Sequence, residues 1–452
     1  MNKSTVAVAV ALGLLAQQAS ADGFIEDSKA TLKLRNFYIN NDNRDSGAAK
    51  NSNYAAEWGQ GFQLDFASGF TQGTVGFGID AIGLLGVKLD SSTAKHGNPA
   101  GTSSGGTVFP SDGNHAVDDF SSLGLTAKAK ISQTELRIGT LQPKLPVIVT
   151  NDGRLLPQTF QGGQITSNEF KDFTFVGGQI EHAKGRNSSN NEGLSIAGAN
   201  AGSNYDAGKF VNKFYYGGVD YKVTKDLLLQ YYYGNLEDFY KQNFLGLVHN
   251  WAIGPGVLKT DLRYFNSTDD GKNGSDPAYY SSGSYQSQAS GKGKVDNNLY
   301  SGLLLYTVAG HTFGGGYQVS NGSSDFPWLN QGDGSSNYTI TDMQIQKFGR
   351  AGERTWQARY SYDFAKIGVP GLTAGAVYLR GDNIDTYNAN KVQTSNGASE
   401  WERDLTVAYV VQEGALKNLG FMWKNAMWRN DIAGQRDQDE NRLIVSYSIP
   451  LL

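Results

Sequence analysis

The segment TWQARYSYDF, residues 355–364, alternates apolar and polar side chains at almost every step. Trp356 and Tyr360 fall on one face, and Arg359 and Asp363 fall on the other. Because successive side chains of a β-strand point to opposite faces, this two-residue period predicts a strand with one apolar face and one charged face. Charged groups are too costly to bury in a dry core, which argues against an ordinary soluble β-sandwich.

The same pattern recurs along most of the chain. Four further clear examples are ATLKLRNFYI (30–39), GFQLDFA (61–67), LKTDLRYF (258–265) and NRLIVSYSI (441–449). Counting such runs gives about eighteen strands, an even number typical of bacterial outer-membrane barrels. Short turns alternate with long polar links, which we place at 40–58, 91–118, 184–208, 267–295, 321–338, 381–399 and 429–439. Transmembrane barrels show this asymmetry because short turns face the periplasm and long loops face the outside.

We therefore predict an all-β fold, a transmembrane antiparallel β-barrel of about 18 strands. Lipid would contact the apolar outer face, and the charged faces would line a water-filled lumen. A closed barrel suits this position because every backbone group pairs between strands and no edge is left in lipid. The alternative is a secreted soluble all-β protein, such as a glycan-binding or hydrolytic domain.

The N-terminal segment 1–21 has the pattern of a signal peptide. It contains the basic residue Lys3, an apolar stretch at 6–16 and the small-residue motif Ala-Ser-Ala at 19–21. We predict that it is removed and that residues 22–452 form a single barrel domain. The alternative is a buried N-terminal helix.

Composition excludes several classes of function. Without Lys3, 38 of the 39 basic residues remain beside 43 acidic ones, so the formal net charge of the mature chain is −5. An acidic balance argues against nucleic acid as a partner. The chain has no cysteine, which excludes disulfides, thiolate metal sites and cysteine nucleophiles.

No enzymatic or cofactor motif is found. The five histidines are scattered without metal-ligand spacing, and no G-x-S-x-G nucleophile motif occurs. GFGIDA (76–81) formally matches a dinucleotide-binding fingerprint, but it continues a strand pattern instead of preceding a helix. We predict a protein that is not an enzyme and that has no cofactor and no metal site.

Basic residues on the polar strand faces form the candidate functional site. A conducting path needs several moderate binding sites in series, and arginine binds carboxylates through a planar, permanently charged fork. For any single cation the alternative is an ion pair with a wall acid such as Asp65, Asp261 or Asp363. The candidate cations are Lys33, Arg35, Arg137, Lys259, Arg263, Arg359, Lys424 and Arg442.

Several longer stretches carry a resemblance to a known family. They are GFIEDSKATLKLRNFY, WGQGF, GTVGFGIDAIGLLGVKLD, NDGRLLPQTFQGG, ERTWQARYSYDF, EWERDL, LKNLGFMWKNA and DENRLIVSYS. In these the chain resembles, over essentially its whole length, the OprD-type (Occ) family of substrate-specific outer-membrane porins of pseudomonads. The resemblance implies an eighteen-stranded barrel of monomer size. It also implies inward-folded loops that narrow the pore and a "basic ladder" that guides carboxylate-bearing solutes.

The resemblance also implies positions for the site residues. Arg154, Arg359, Lys424 and Arg442 would belong to the ladder, although many members have Arg-x-Arg where this chain has Met-Trp-Lys at 422–424. A constriction loop at about 142–165 would hold Arg154 against the solute's carboxylate. The alternative for this arginine is a tie between the loop and a wall acid. A second pore-lining loop at about 321–338 would contribute Asp325 as an acidic partner.

The predicted function is passive, substrate-selective diffusion of small carboxylates across the outer membrane of a Gram-negative bacterium. We expect aromatic acids of the benzoate type, because no dense acidic cluster for a cationic solute is evident in the sequence. A channel for basic amino acids is the alternative within transport. The alternatives of another class are a surface-binding or structural barrel without transport and an outer-membrane enzyme. Expected partners are small carboxylates, outer-membrane lipid and lipopolysaccharide, with the chain either a monomer or a loose trimer.

Overall fold

The computed structural model describes residues 23–44, 54–96, 107–197, 209–279, 294–330, 336–387, 393–432 and 435–452. The predicted signal peptide lies outside these ranges. Within them, eighteen strands form one closed antiparallel sheet, which confirms the predicted fold. Three short 3₁₀ turns lie in the described ranges, at Gly271–Gly274, Pro277–Tyr279 and Phe364–Ile367. Three pairs of short strands also lie outside the barrel sheet: Ser111–Asp112 with His115–Ala116, Lys144–Leu145 with Ile148–Val149, and Ser195–Ala197 with Trp328–Asn330.

The strands follow one another around the wall in chain order. They are β1 Lys29–Asn43, β2 Tyr54–Ala67, β3 Gly76–Asp90, β4 Asp119–Ile131, β5 Thr134–Leu141, β6 Thr159–Ser167, β7 Phe173–Lys184, β8 Phe214–Lys222, β9 Leu227–Leu236, β10 Tyr240–Ile253, β11 Gly256–Asp269, β12 Asp296–Val308, β13 His311–Gly322, β14 Arg354–Asp363, β15 Leu372–Tyr387, β16 Gln393–Val410, β17 Gly420–Asn430 and β18 Gln438–Pro450. The last strand pairs with the first, with Ser448 opposite Lys33, and this pairing closes the barrel. Among the described residues, no helix is long and apolar enough to cross a bilayer.

Side-chain polarity is inverted relative to a soluble protein, as the alternation predicts. On β11, Leu262 is 46% exposed on the outer face, whereas Asp261 on the inner face is 4% exposed. Leu304 on β12 and Trp356 on β14 are likewise exposed outward. An apolar outer band with polar inner faces is the arrangement of a barrel that sits in lipid.

The lumen is partly filled by loops that fold into it. Inward wall residues Phe214, Phe244 and Phe265 pack with Ile148 and Phe326 from two such loops in one buried cluster. A second buried cluster joins wall residues of β1 to the loops that precede β4 and β6. The water-filled space is therefore narrower than the strand number alone allows.

Several predicted boundaries are wrong. In the link predicted at 40–58, β1 continues to Asn43 and β2 begins at Tyr54. The link predicted at 381–399 is mostly strand, because β15 runs to Tyr387 and β16 begins at Gln393. Polar side chains signal exposure to water, but the backbone ladder continues beyond the lipid as long as both strands stay paired.

The constriction loop predicted at 142–165 ends at 158. Residues from Thr159 onward belong to strand β6, with a bulge between Gln161 and Gly162. A Cβ atom at Gly162 would lie 2.1 Å from the Gln179 carbonyl oxygen, so this glycine permits a close strand contact instead of a turn. The second loop, predicted to end at 338, continues to Glu353, and β14 begins at Arg354.

Candidate functional site: an eyelet held by two inward loops

The first inward loop, residues 142–158, is seated on β2 through Leu155. This side chain and that of Leu156 are 2% exposed, so both hold the loop to the wall. At Gly59 and Gly61, in the motif WGQGF, the wall has no side chain on its inner face. A Cβ at Gly61 would lie 2.9 Å from the carbonyl oxygen of Leu155. The two glycines therefore form the recess that accepts the loop.

The second inward loop, residues 323–353, is tied to the wall by three of the candidate arginines. Each donates to a backbone carbonyl of the loop: Arg263 to Tyr338 at 2.8 Å, Arg359 to Ile340 at 2.5 Å and Arg442 to Gln344 at 3.1 Å. These arginines stand on β11, β14 and β18. Hydrogen bonds thus attach the loop to the wall at three points between β11 and β18.

Buried acids hold the same loop through its amides. The carboxylate of Glu402, fully buried on β16, accepts from the backbone N–H groups of Ile345 at 2.9 Å and Gln346 at 2.8 Å. Asp404 accepts from the N–H of Gln344 at 3.2 Å. Glu440 on β18 accepts from the side-chain amide of Gln344 at 2.9 Å.

The two loops meet at Arg442. Its Nη1 donates to the Gly153 carbonyl at 3.0 Å, its Nη2 donates to the Gln344 carbonyl, and its Nε pairs with Glu440 at 2.6 Å. One side chain thus connects both loops to the wall. We call the part of the lumen where Gly153, Gln344, Lys424 and Arg442 lie together the eyelet.

Lys424 lies opposite Arg442 on the neighbouring strand β17. It is half-buried, and among the described residues its ammonium makes no hydrogen bond and no ion pair, although Asp404 and Glu440 are close enough to interact electrostatically. It differs in this from the other ladder cations of the eyelet.

Arg154 connects the first inward loop to a second loop of the barrel. Its Nη1 donates to the Thr107 carbonyl at 2.6 Å, in the loop that precedes β4. Arg35 on β1 holds the same segment, pairing with Asp152 at 2.7 Å and donating to the carbonyl of Arg154 at 2.7 Å. Arg154 is half-buried. It holds the loop that precedes β4, and its neighbour in the chain, Gly153, borders the eyelet.

The remaining candidate cations face the lumen but carry acidic partners. Lys33 pairs with Asp65 at 2.6 Å. Arg263 forms a two-point contact with Asp261, and Lys259 lies 4.0 Å from the same carboxylate. Arg137 faces the lumen and pairs with Glu135 and with Asp80. Ion pairing, the alternative for any single cation, applies to these four.

Asp325 does not occupy the predicted position at the pore surface. It is 5% exposed, and its Oδ1 accepts from the N–H of Ala351 at 2.9 Å inside the base of the second loop. Burial raises the pKa of Asp325 to about 6, and the nearby charge of Arg350 limits the increase. The prediction fails because a polar loop residue can be covered by its own loop, which sequence alone does not reveal.

A cluster of acids exists that the sequence reasoning missed. Glu400, Glu402 and Asp404 point inward from β16 and are buried beneath the second loop, with Glu440 close by on β18. The expectation of a lumen without a dense acidic cluster is therefore wrong. The signal was present in EWERDL (400–405), where three acids recur with the two-residue period of one strand face.

Below the eyelet, the periplasmic half of the lumen opens into a vestibule of about 710 Å³. Cations and acids alternate on its wall: Lys29, Lys130 and Arg137 beside Asp65, Asp80 and Glu135. In the described part of the chain, no three His, Asp or Glu side chains come together as a metal site. A barrel with an eyelet above a vestibule has the architecture of a channel.

A family model described as "outer membrane porin, OprD family" matches residues 22–451. The chain belongs to the OprD family of outer-membrane porins. Membership in the OprD family confirms the predicted outer-membrane location and the prediction of a channel instead of an enzyme.

Individual OprD-family relatives are similar over nearly the full length. The chain is 35% identical to the porin-like protein GalP of Pseudomonas putida, covering 99% of this chain and 97% of the relative. It is 34% identical to Porin D of Pseudomonas aeruginosa, covering 98% and 96%. The crystal structure of OccK8 (OprE) from Pseudomonas aeruginosa is similar with 61% identity and a TM-score of 0.84, covering 95% of this chain and all of that one.

Proposed function

We propose that this porin passes small monocarboxylates, preferring single-ring aromatic acids of the benzoate type, by passive diffusion through the eyelet. The observation that carries the proposal is the inward ammonium of Lys424, which is unpaired among the described residues and stands opposite Arg442. A similar structure, Pseudomonas aeruginosa OpdK with vanillate, has 34% identity and a TM-score of 0.81 over 95% of this chain and all of that one. Vanillate is an aromatic carboxylate, so that relative supports the same solute class.

Electrostatics supports a track of more than one cation. The hydrogen-bond partners of Arg359 are neutral, the Gln357 amide oxygen and the Ile340 carbonyl, so they leave its charge uncompensated. A solute carboxylate would pass from Arg154 and Arg359 to Lys424 and Arg442. Lys33, Arg35, Arg137, Lys259 and Arg263, whose charges are shared with acids, would contribute weaker attraction along the wall. Several moderate sites allow a solute to leave as readily as it enters.

Single-channel recording in planar bilayers tests the proposal. We expect Lys424→Gln to shorten benzoate-induced current blocks by about fivefold, which corresponds to the loss of one partly solvated charge pair of about 1 kcal/mol. Lys33→Gln is the matched control, because this lumen lysine already pairs with Asp65. Equal block durations in wild type and Lys424→Gln would refute the role of Lys424.

A channel for basic amino acids is the second candidate. It is favoured by the acids beside Lys424, since Asp404 and Glu440 lie close enough to interact with its ammonium. Both carboxylates are already hydrogen-bonded to Gln344, which argues against their binding a solute. Uptake competition separates the candidates: excess benzoate, but not arginine, should reduce the flux of a labelled aromatic acid.

A further inference from the structure

The turn of the second inward loop, residues 344–346, is held by the buried carboxyl group of Glu402. This side chain accepts more backbone hydrogen bonds from the turn than any other wall acid with a described contact there. Glu402 is fully buried, and its two oxygens receive two consecutive backbone N–H groups, those of Ile345 and Gln346. The carbonyl of the preceding residue, Gln344, receives Arg442. The turn at 344–346 is therefore held on its amide side by the carboxyl group of Glu402 and on its carbonyl side by the guanidinium of Arg442.

The same device occurs at another inward loop. Glu57 on β2 is 1% exposed, and one of its oxygens accepts from the backbone N–H groups of Thr107 at 3.0 Å and Val108 at 2.6 Å. Its other oxygen contacts His96 at 2.6 Å. A wall glutamate beneath two successive loop amides is thus a repeated way of fastening a loop inside this barrel.

We propose that Glu402 is the positioning residue that sets the aperture of the eyelet. Each of its two oxygens accepts one backbone N–H group, and two such hydrogen bonds fix both the height and the orientation of the turn. Without this carboxylate, the amides of Ile345 and Gln346 would be buried without a partner, and the turn would move toward water in the lumen. The turn is the part of the loop that borders the eyelet, so its position determines which solutes fit.

Two variants of Glu402 and one control variant of Asp404 distinguish the positioning role of Glu402 from a general effect of removing a buried carboxyl group. Glu402→Ala removes both acceptors, and Glu402→Gln keeps one oxygen for two amides. Asp404→Asn replaces the carboxyl group at the next inward position of β16, and its amide oxygen can still accept from the N–H of Gln344. The full-length porin is used for each, with heat-modifiable mobility on gels as the check for a folded barrel.

The measurements are single-channel conductance and exclusion of neutral polyethylene glycols of graded mass. We expect Glu402→Ala to increase the population of the displaced turn by about tenfold or more, given the loss of two hydrogen bonds. Mean conductance then rises and larger polymers enter. Glu402→Gln gives an intermediate result, and Asp404→Asn keeps the wild-type size limit.

Two results would overturn the proposal. One is an unchanged polymer limit in both Glu402 variants, and if Glu402→Ala does not fold, the result for Glu402→Gln decides alone. The other is an equal increase of the polymer size limit in Asp404→Asn. The aperture would then depend on the loss of any buried carboxyl group beneath the loop, and not on the hydrogen bonds of Glu402. Neutral polymers carry no carboxylate, so these outcomes are independent of whether benzoate-type acids are the solutes.

Discussion

Cations in the lumen differ in the charge of their partners, and this decides what each can do. Arg263 is neutralised by a two-point contact with Asp261, whereas Arg359 bonds only to neutral oxygens among its described hydrogen-bond partners. A guanidinium bonded to a carbonyl is held in place but keeps its net charge. An arginine can therefore fasten a loop and attract an anion at the same time.

Arg442 allows these two roles to be separated. Arg442→Lys keeps the charge but loses the planar fork that reaches both Gly153 and Gln344. We expect the shared anchor of the two loops to weaken by roughly 1–3 kcal/mol. Single-channel records should show larger and noisier currents, while the reversal potential in a salt gradient stays close to that of wild type.

The control for Arg442→Lys is Arg137→Lys in the vestibule, where the described partners are Glu135 and Asp80 and not a loop carbonyl. It should leave both current noise and reversal potential nearly unchanged. A shifted reversal potential with unaltered conductance in Arg442→Lys would contradict the anchoring role.

Among the elements, β2 illustrates how a strand can be shaped to receive a loop. Gly59 and Gly61 remove side chains from two successive inward positions, and Phe109 and Leu155 occupy the space. Glycine in a strand costs backbone entropy and forgoes packing, so its presence here indicates a close approach. The motif WGQGF thereby links a strand sequence to the seating of the first inward loop.

Gly61→Ala tests this link. The added Cβ would meet the backbone oxygen of Leu155 at 2.9 Å, so the loop must shift away from β2. We expect a wider eyelet, measured as entry of larger neutral polymers in planar bilayers. Gly315→Ala on β13 is the control, because nothing lies within 4 Å of a Cβ at that site. Identical polymer limits in all three proteins would show that the recess does not position the loop.

The molecule as a whole is stabilised by opposite environments on the two sides of one sheet. Leu262 faces outward in the middle of β11, and charged residues on the same strand face the lumen. Lipid-facing charge is costly in a transmembrane barrel, and most costly at mid-depth. The sheet therefore tolerates polar substitution on one face and not on the other.

Leu262→Arg should destabilise the folded barrel by about 2–4 kcal/mol, as expected for arginine near the bilayer midplane. Thr31→Arg, at an inward position on the vestibule wall, should cost less than about 1 kcal/mol because water solvates the new charge. Reversible urea unfolding in lipid vesicles measures both. Equal losses of stability would mean that the outer face does not contact hydrocarbon.

Local pattern in the chain was sufficient for the barrel, its strand number and the direction in which side chains point. The segment 355–364 predicted β14 to within one residue at its C-terminal end, because strand geometry depends on neighbours in sequence. The inward direction of Arg359, Lys424 and Arg442 followed from the same two-residue period. Loop lengths indicated which connections lie outside, but not where each loop ends inside the lumen.

Only the tertiary structure decided which of these cations is unpaired and which acts as an anchor. Arg442 meets a carbonyl 289 residues away, and Arg263 meets one 75 residues away. Such partners leave no trace in a local pattern, since they depend on how far each loop reaches into the barrel. The burial of Asp325 and the acids beneath the second loop have the same origin. For this porin, alternation along the chain specifies the wall, and long-range contacts of the loops specify the opening.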